Sequence, residues 1–251
     1  MSGLVKMPNI PQGRVTTGIV SGENEELLNY LKSFGIKCLL TDENNKIDKF
    51  ISNHADVNLH HLGSNRIIAD DSQSPTLIQN LKSLGFEVLP AVKQVSGKYP
   101  DDCRLNHARV GNYLIGKQDV CDNGIIKHCI DNGIARIDVK QGYCKCSICI
   151  VNERAIITDD ISIKRASSQI NVDCLLIDKG DIKLRGYGYG FVGGASALID
   201  KDKLLFFGNL KHHRNYREIV SFLNRYHCSA VFSEDFELTD IGGMIPLIVE
   251  N

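Results

Sequence analysis

No run of apolar residues in this sequence is long enough to span a bilayer, so a transmembrane helix is not expected. The opening MSGLVKMPNIPQG lacks the apolar core and small-residue cleavage site of a secretory leader, which points to a cytoplasmic protein. Excess charge is lacking as well. With 29 basic and 30 acidic residues the net charge is -1, so the chain has no general attraction for nucleic acid or an acidic membrane, and neither is expected as a partner. No Pro/Gly/Ser-rich linker divides the 251 residues, and a hydrophobic content of 43% suffices for one sizeable core, so residues 1–251 read as a single domain. The nine cysteines are odd in number and scattered through predicted strands and helices, so they form no disulfide framework. Cys38, Cys121, Cys174 and Cys228 lie in or beside apolar runs and read as core fillers. A second Cys-x-x-Cys is missing, which leaves Cys146-x-x-Cys149 as weak support for a metal. No G-x-G-x-x-G follows a strand and opens a helix, and neither a metal nor another cofactor is expected.

What the chain does contain is a repeat. Residues 54–90, HADVNLHHLGSNRIIADDSQSPTLIQNLKSLGFEVLP, read strand, strand, helix, strand. The β-prone runs 57–62 and 66–69 meet at Gly63-Ser64-Asn65. An apolar 3.6-residue period through Leu77, Ile78, Leu81 and Leu84 follows, ended by Gly85. The helix and last strand recur upstream in NEELLNYLKSFGIKCLLTD, and the hairpin recurs at 106–122, 143–159 and 193–209. The final IGGMIPLIVE has no helix after it, whereas RVTTGIVS has no first strand before it, so each supplies what the other lacks. The expected fold is therefore α/β: five ββαβ units in a ring closed by the C-terminal strand beside the N-terminal unit. The units span approximately 14–47 with 240–251, then 54–92, 103–140, 143–178 and 192–236. Residues 1–13 read as a loose lead-in, and residues 93–105 as a long connection lying over one mouth of the ring. Asp70, Asp122, Asp159 and Asn209 recur before helices and read as N-caps rather than catalytic groups.

Chemistry is expected on the first strand of each unit, because these strands surround the axis and polar residues there need a reason to be buried. His54, Asp56, Asn58 and His60 alternate on one face in unit two. Arg104, Asn106, His107 and Arg109 crowd unit three, after Asp101 and Asp102. Cys144 and Cys146 share a face in unit four, with Lys145 and Cys149 on the other, and Asp240, Gly242 and Gly243 stand at the closing strand. The adjacent pairs His60-His61 and His212-His213 read as surface or core histidines. The loop GDIKLRGYGYGFVGG, residues 180–194, alternates glycine with Tyr187, Tyr189 and Phe191, which suits an ordered, aromatic-anchored loop at a ligand site or on the core.

The repeat, with HADVNLHHLG, DDCRLNHARVGNYLIG, GYCKCSICIVN and TDIGGMIPL, resembles the pentein fold of guanidino-group-modifying enzymes over nearly the whole chain. More narrowly it is similar to a mainly clostridial branch of unknown function. The resemblance implies a five-bladed α/β propeller with a site in the central channel. Family enzymes hold a guanidinium with carboxylates from units two and three, use a His-x-Asp in unit four, and attack with a cysteine after a Gly-Gly on the closing strand. Asp56 matches the first of these. Asn106-His107-Ala108-Arg109 replaces the second carboxylate motif, Cys144-Lys145-Cys146 replaces His-x-Asp, and the nucleophile's position falls on Leu247 or Pro246. The preferred expectation is a channel that binds a small polar, anionic or zwitterionic metabolite without deiminase chemistry, held by Asp56, Asn58, Arg104, Asn106, Arg109, Lys145 and Asp240. One alternative is a hydrolase or transferase on guanidino or amidino compounds, with Cys144 or Cys146 as a relocated nucleophile and His54, His60 or His107 as base. The other is a metal site built from the same cysteines and histidines.

Overall fold

The structure, a computed structural model, describes residues 2–22, 24–92 and 97–250. In chain order the first blade holds β1 (Ser2–Leu4), β2 (Arg14–Val20), α1 (Glu25–Ser33) and β3 (Lys37–Leu40). The second holds α2 (Ala55–Asn58), β4 (Leu59–Gly63), β5 (Arg66–Ala69), α3 (Pro75–Ser83) and β6 (Glu87–Pro90). The third holds β7 (Ala108–Val110), β8 (Tyr113–Gly116), α4 (Asn123–Asp131) and β9 (Ala135–Asp138). The fourth holds α5 (Cys144–Ser147), β10 (Ile148–Asn152), β11 (Ala155–Thr158), α6 (Ile161–Ser167) and β12 (Asp173–Leu176). The fifth holds β13 (Ser196–Asp200), β14 (Lys203–Phe206), α7 (Tyr216–Arg225) and β15 (Ser229–Val231); β16 (Ile245–Glu250) returns to the first.

Each blade is a small sheet in which an antiparallel hairpin is extended by a parallel strand that comes back after a helix. The first sheet has the order β1-β16-β2-β3, so it contains strands from both ends of the chain. Ile245 pairs with Ile19 and Val249 with Val15, as the complementary ends of the sequence predict. The cores explain why inner strands read as apolar runs rather than as alternations: successive side chains face opposite sides of a sheet, and here both sides are buried. Ile67 packs with Ile19 and Leu247 between the first and second blades, while its neighbour Ile68 packs with Leu114 between the second and third. Ala108 and Ile156 join the third blade to the fourth, Val151 and Phe206 the fourth to the fifth, and Phe207 and Val15 the fifth to the first.

Three expectations need correction. Residues 2–13 are not loose: β1 pairs with β16, Val5 is buried, and its N–H donates to Leu247 O at 2.8 Å. Two of the four supposed caps are displaced. Asp122 accepts from Gly124 N at 2.7 Å to cap α4, and Asn209 accepts from Lys211 N at 3.0 Å, but Ser74 caps α3 and Asp160 caps α6. The Asp70 carboxylate instead binds Ser72 N and Asn44 Nδ2, because its turn carries extra residues before the helix. The strand expected over 57–62 begins later, after a helical turn. Residues 93–96 of the long connection lie outside the described residues. Among those described, no helix is long and apolar enough to cross a membrane.

Candidate functional site

The site begins with two helical turns that the sequence pattern does not announce. In the second blade, His54 stays extended and Ala55–Asn58 make one turn before β4 starts at Leu59. Asn58 fixes this turn: its Nδ2 donates to Ser52 O and His54 O, and its Oδ1 accepts from Asn44 Nδ2. With its amide used in this way, Asn58 is part of the scaffold and not of a ligand face. In the fourth blade Cys144–Ser147 make the equivalent turn before β10. A helical turn does not keep residues i and i+2 on one face, so Cys144 and Cys146 separate. The Cys144 thiol donates to Gln141 O and packs in the core between the third and fourth blades, whereas Cys146 faces Asp56.

Asn106, from the third blade, ties the two turns together. Its Oδ1 accepts from Lys145 N at 2.7 Å and Cys146 N at 3.2 Å, and its Nδ2 donates to Asp56 O at 3.0 Å and Cys146 Sγ at 3.1 Å. The Cys146 thiol in turn donates to Asp56 Oδ2 at 3.0 Å. His54 stands beside them, with Nδ1 4.0 Å from Asp240 Oδ1. Asp240 accepts from Phe191 N at 2.8 Å and Gly242 N at 3.0 Å, which anchors the Gly/Tyr loop and the Gly-Gly turn to the same point. Gly242 has φ +75°, and a Cβ there would lie 2.4 Å from His54 Cβ, so glycine is required on both counts. Lys145 Nζ reaches Gly193 O at 3.4 Å.

Above this floor lies a cavity of about 220 Å³, lined at its base by His54, Cys146 and Asp240. Its wall is aromatic: Tyr143, whose hydroxyl donates to Asp102 Oδ2 at 2.6 Å, and Tyr187, Tyr189 and Phe191 from the Gly/Tyr loop. Burial pushes the Asp56 carboxyl up to about 7, with Lys145 opposing and Asp240 reinforcing the shift. Burial also raises the Cys146 thiol well above its ordinary value, and the carboxylates of Asp56 and Asp240 add to it. The His54 imidazole is lowered by burial against the pull of Asp240. The thiol and imidazole are therefore neutral at pH 7, and a cation entering the cavity would favour the ionised thiol and carboxylate.

Of the residues singled out in the sequence, Asp56, Asn106, Lys145, Asp240, His54 and Cys146 come together. Of these, His54, Cys146 and Asp240 line the cavity, whereas Asp56, Asn106 and Lys145 do not; nor do Arg104, Arg109, His107, Asn58 and Cys144. Arg104 pairs with Asp101 near the surface, and Arg109 donates through Nε to Gly111 O at 2.6 Å inside its own blade. Both guanidiniums thereby avoid an uncompensated charge at the buried axis. The His107 ring packs on Gly116 and bonds Lys117 O through Nε2. His60 bonds Leu105 O through Nδ1, and Cys149 packs in the core between the fourth and fifth blades. Leu247, one of the two positions at which the resemblance would put a nucleophile, is fully buried among Ile19 and Leu59. Tyr143 carried no sequence signal as a site residue, while Tyr187, Tyr189 and Phe191 were flagged by their alternation with glycine.

The model of a family of unknown function (DUF6873) matches residues 19–245. No curated protein matches. Among solved structures, an inosamine-phosphate amidinotransferase from Streptomyces griseus is similar with a TM-score of 0.60 at 12% identity, covering 98% of this chain and 97% of that one. DDAH from Pseudomonas aeruginosa, solved with citrulline, gives a TM-score of 0.57 at 9% identity over 94% and 99%. An agmatine deiminase from C. jejuni gives 0.56 at 10% identity over 93% and 90%. At these identities the likeness is one of fold. The fold is the pentein α/β propeller.

Proposed function

The chain belongs to that family of unknown function, on a fold whose solved neighbours include amidinotransferases and an agmatine deiminase, and from this premise we propose that it is a cysteine-dependent hydrolase or transferase acting on an amidino or guanidino compound. Cys146 is the nucleophile, Asp56 takes its proton, and His54 serves the second half of the reaction. The observation that carries this reading is the 3.0 Å contact between Cys146 Sγ and Asp56 Oδ2 at the floor of an aromatic-walled cavity. A nucleophile within hydrogen-bond reach of its base is the requirement for covalent catalysis. The Asp240 carboxylate in the cavity lining, with Asp56 in contact with Cys146, and an aromatic wall favour a flat cation, through charge and through the ring faces.

In the first half, sulfur bonds to the amidino carbon while the thiol proton passes to Asp56. The carbon–nitrogen bond then breaks, and the departing amine leaves with that proton, so the amidino group remains on Cys146. In the second half water or an acceptor amine attacks the same carbon, gives a proton to His54, and the sulfur leaves and recovers its proton. The anion-binding expectation has less support, because it drew on Arg104 and Arg109, and among the described residues Lys145 is the cation whose charge acts on Asp56.

Incubation with chloroacetamidine followed by intact-mass and peptide analysis tests the reading. The expected result is one adduct at Cys146, formed as sulfur displaces chloride, absent in Cys146→Ser, kept in Cys144→Ser and slowed in Asp56→Asn. An absent adduct, or one that survives Cys146→Ser, sinks the proposal. In that case stabilisation by carboxylated or phosphorylated metabolites, weakened by Lys145→Ala, would favour the anion reading.

A further inference from the structure

The atoms that would make Cys146 reactive also compose a ligand set. One ligand atom each from His54, Asp56 and Cys146 lie within 4.8 Å of one another, and all three residues are buried. Imidazole nitrogen, carboxylate oxygen and thiolate sulfur are the donors that zinc accepts, with three protein ligands and an open fourth position at sites that do chemistry. A second observation points the same way. Asp56 is 2% exposed, and its Oδ1 has no hydrogen-bond partner. A buried carboxylate oxygen without a donor is a group that a cation would satisfy.

We propose that His54, Asp56 and Cys146 bind one thiophilic divalent cation of the zinc class, with the fourth coordination position facing the cavity. Donor atoms of a tetrahedral zinc site stand roughly 3.5 Å apart, given bonds of about 2.0 to 2.3 Å. The Asp56–Cys146 pair at 3.0 Å is already this close, so the cluster contracts by about 1 Å at its widest separation. Supporting contacts are in place. Asp240 lies 4.0 Å from His54 Nδ1, short of hydrogen-bond contact but on the side from which a carboxylate orients a ligating imidazole, and Asn106 donates to Cys146 Sγ. Binding forms metal–sulfur, metal–nitrogen and metal–oxygen bonds, and the thiol proton leaves to solvent without any redox change. The consequence for activity rests on the cysteine reading above: a sulfur lone pair held by a metal is less available to attack carbon, so the cation slows the enzyme.

The test uses the full chain, stripped with chelator and titrated with Co²⁺. One equivalent should bring a thiolate-to-cobalt charge-transfer band and tetrahedral ligand-field absorption. The band should vanish in Cys146→Ser, require roughly tenfold more cobalt in His54→Ala and Asp56→Asn, and persist in Cys144→Ser. Circular dichroism establishes that each variant is folded. No band in the parent protein, or a band that survives Cys146→Ser, overturns the proposal. If Cys146→Ser does not fold, an unchanged titration in both His54→Ala and Asp56→Asn overturns it equally. Zn²⁺ at about ten times its dissociation constant should also slow chloroacetamidine labelling roughly tenfold. Labelling indifferent to saturating zinc removes the metal and leaves the nucleophile. Cobalt binding without any labelling does the reverse.

Discussion

Asn106 shows what a single side chain can hold together at this axis. It is fully buried, and it binds Asp56 O, Lys145 N, Cys146 N and Cys146 Sγ, so one amide fixes turns from two blades and sets the sulfur against its carboxylate. Asn106→Leu keeps the branched shape, with greater bulk, and removes every one of these bonds. Cys146 N and the Asp56 carbonyl then lose the partner that Asn106 supplied, and Lys145 N keeps only its 3.4 Å bond to the Asn106 main-chain oxygen. At about 1–3 kcal/mol for a buried polar group left without its partner, the variant should lose on the order of 3–5 kcal/mol in urea unfolding. It should also label more slowly at Cys146, because the donor that stabilises developing charge on sulfur is gone. A loss below about 1 kcal/mol would mean the amide is not the tie described. The sequence made Asp56, Asn106 and Asp240 legible as polar residues on segments that must be buried. It could not separate them from Arg104 and Arg109, because nothing in the composition says which side chains bend back to Asp101 or Gly111.

At the scale of elements, the errors share one physical cause. Period-2 and period-3.6 patterns are distinguishable over a full helix such as α3, where Leu77 and Leu81 are buried and Ser74 caps the start. A four-residue turn is too short to show a period, so Ala55–Asn58 and Cys144–Ser147 pass for the first residues of the strands they precede. That is why Cys144 and Cys146 were expected side by side. The N-terminal strand was missed for a related reason, since three residues beside Pro8 and Pro11 give no pattern. Its position nevertheless has consequences. β1 covers the edge of β16, and Asn9 at φ 62° reaches small cavities at the axis bordered by Asp56 and Lys145. Deleting residues 2–10 should expose that edge and take the buried Val5 out of its core. The thermal midpoint should fall by several degrees, as expected when about 2 kcal/mol is lost from a chain of this size. An unchanged midpoint would restore the loose lead-in.

For the molecule as a whole, the repeat is the most legible feature, because four blades carry the same hairpin, helix and strand, and the first differs in taking one strand of its antiparallel pair from the far end of the chain. Neighbouring blades share cores, and the series returns to its start where Phe207 and Ile199 meet Val15 and Val249. In such a ring the covalent ends are incidental, provided that β16 stays between β1 and β2. Ser2 stands opposite Glu250 in the pairing, so a short glycine linker can join the ends, and new ends can open in the exposed turn at Lys201-Asp202 between β13 and β14. Truncation after Thr239 is the opposite operation. It strips Ile245, Leu247 and Val249 from two cores and leaves the edges of β1 and β2 unpaired. The permutant should unfold cooperatively with a midpoint near that of the parent and keep its labelling at Cys146. The truncated chain should lose its cooperative transition, since each buried aliphatic side chain removed from such a core costs about 2–5 kcal/mol. Equal behaviour of the two would contradict closure: a ring depends on the strand that completes its first sheet, whereas an open array would lose only its last element.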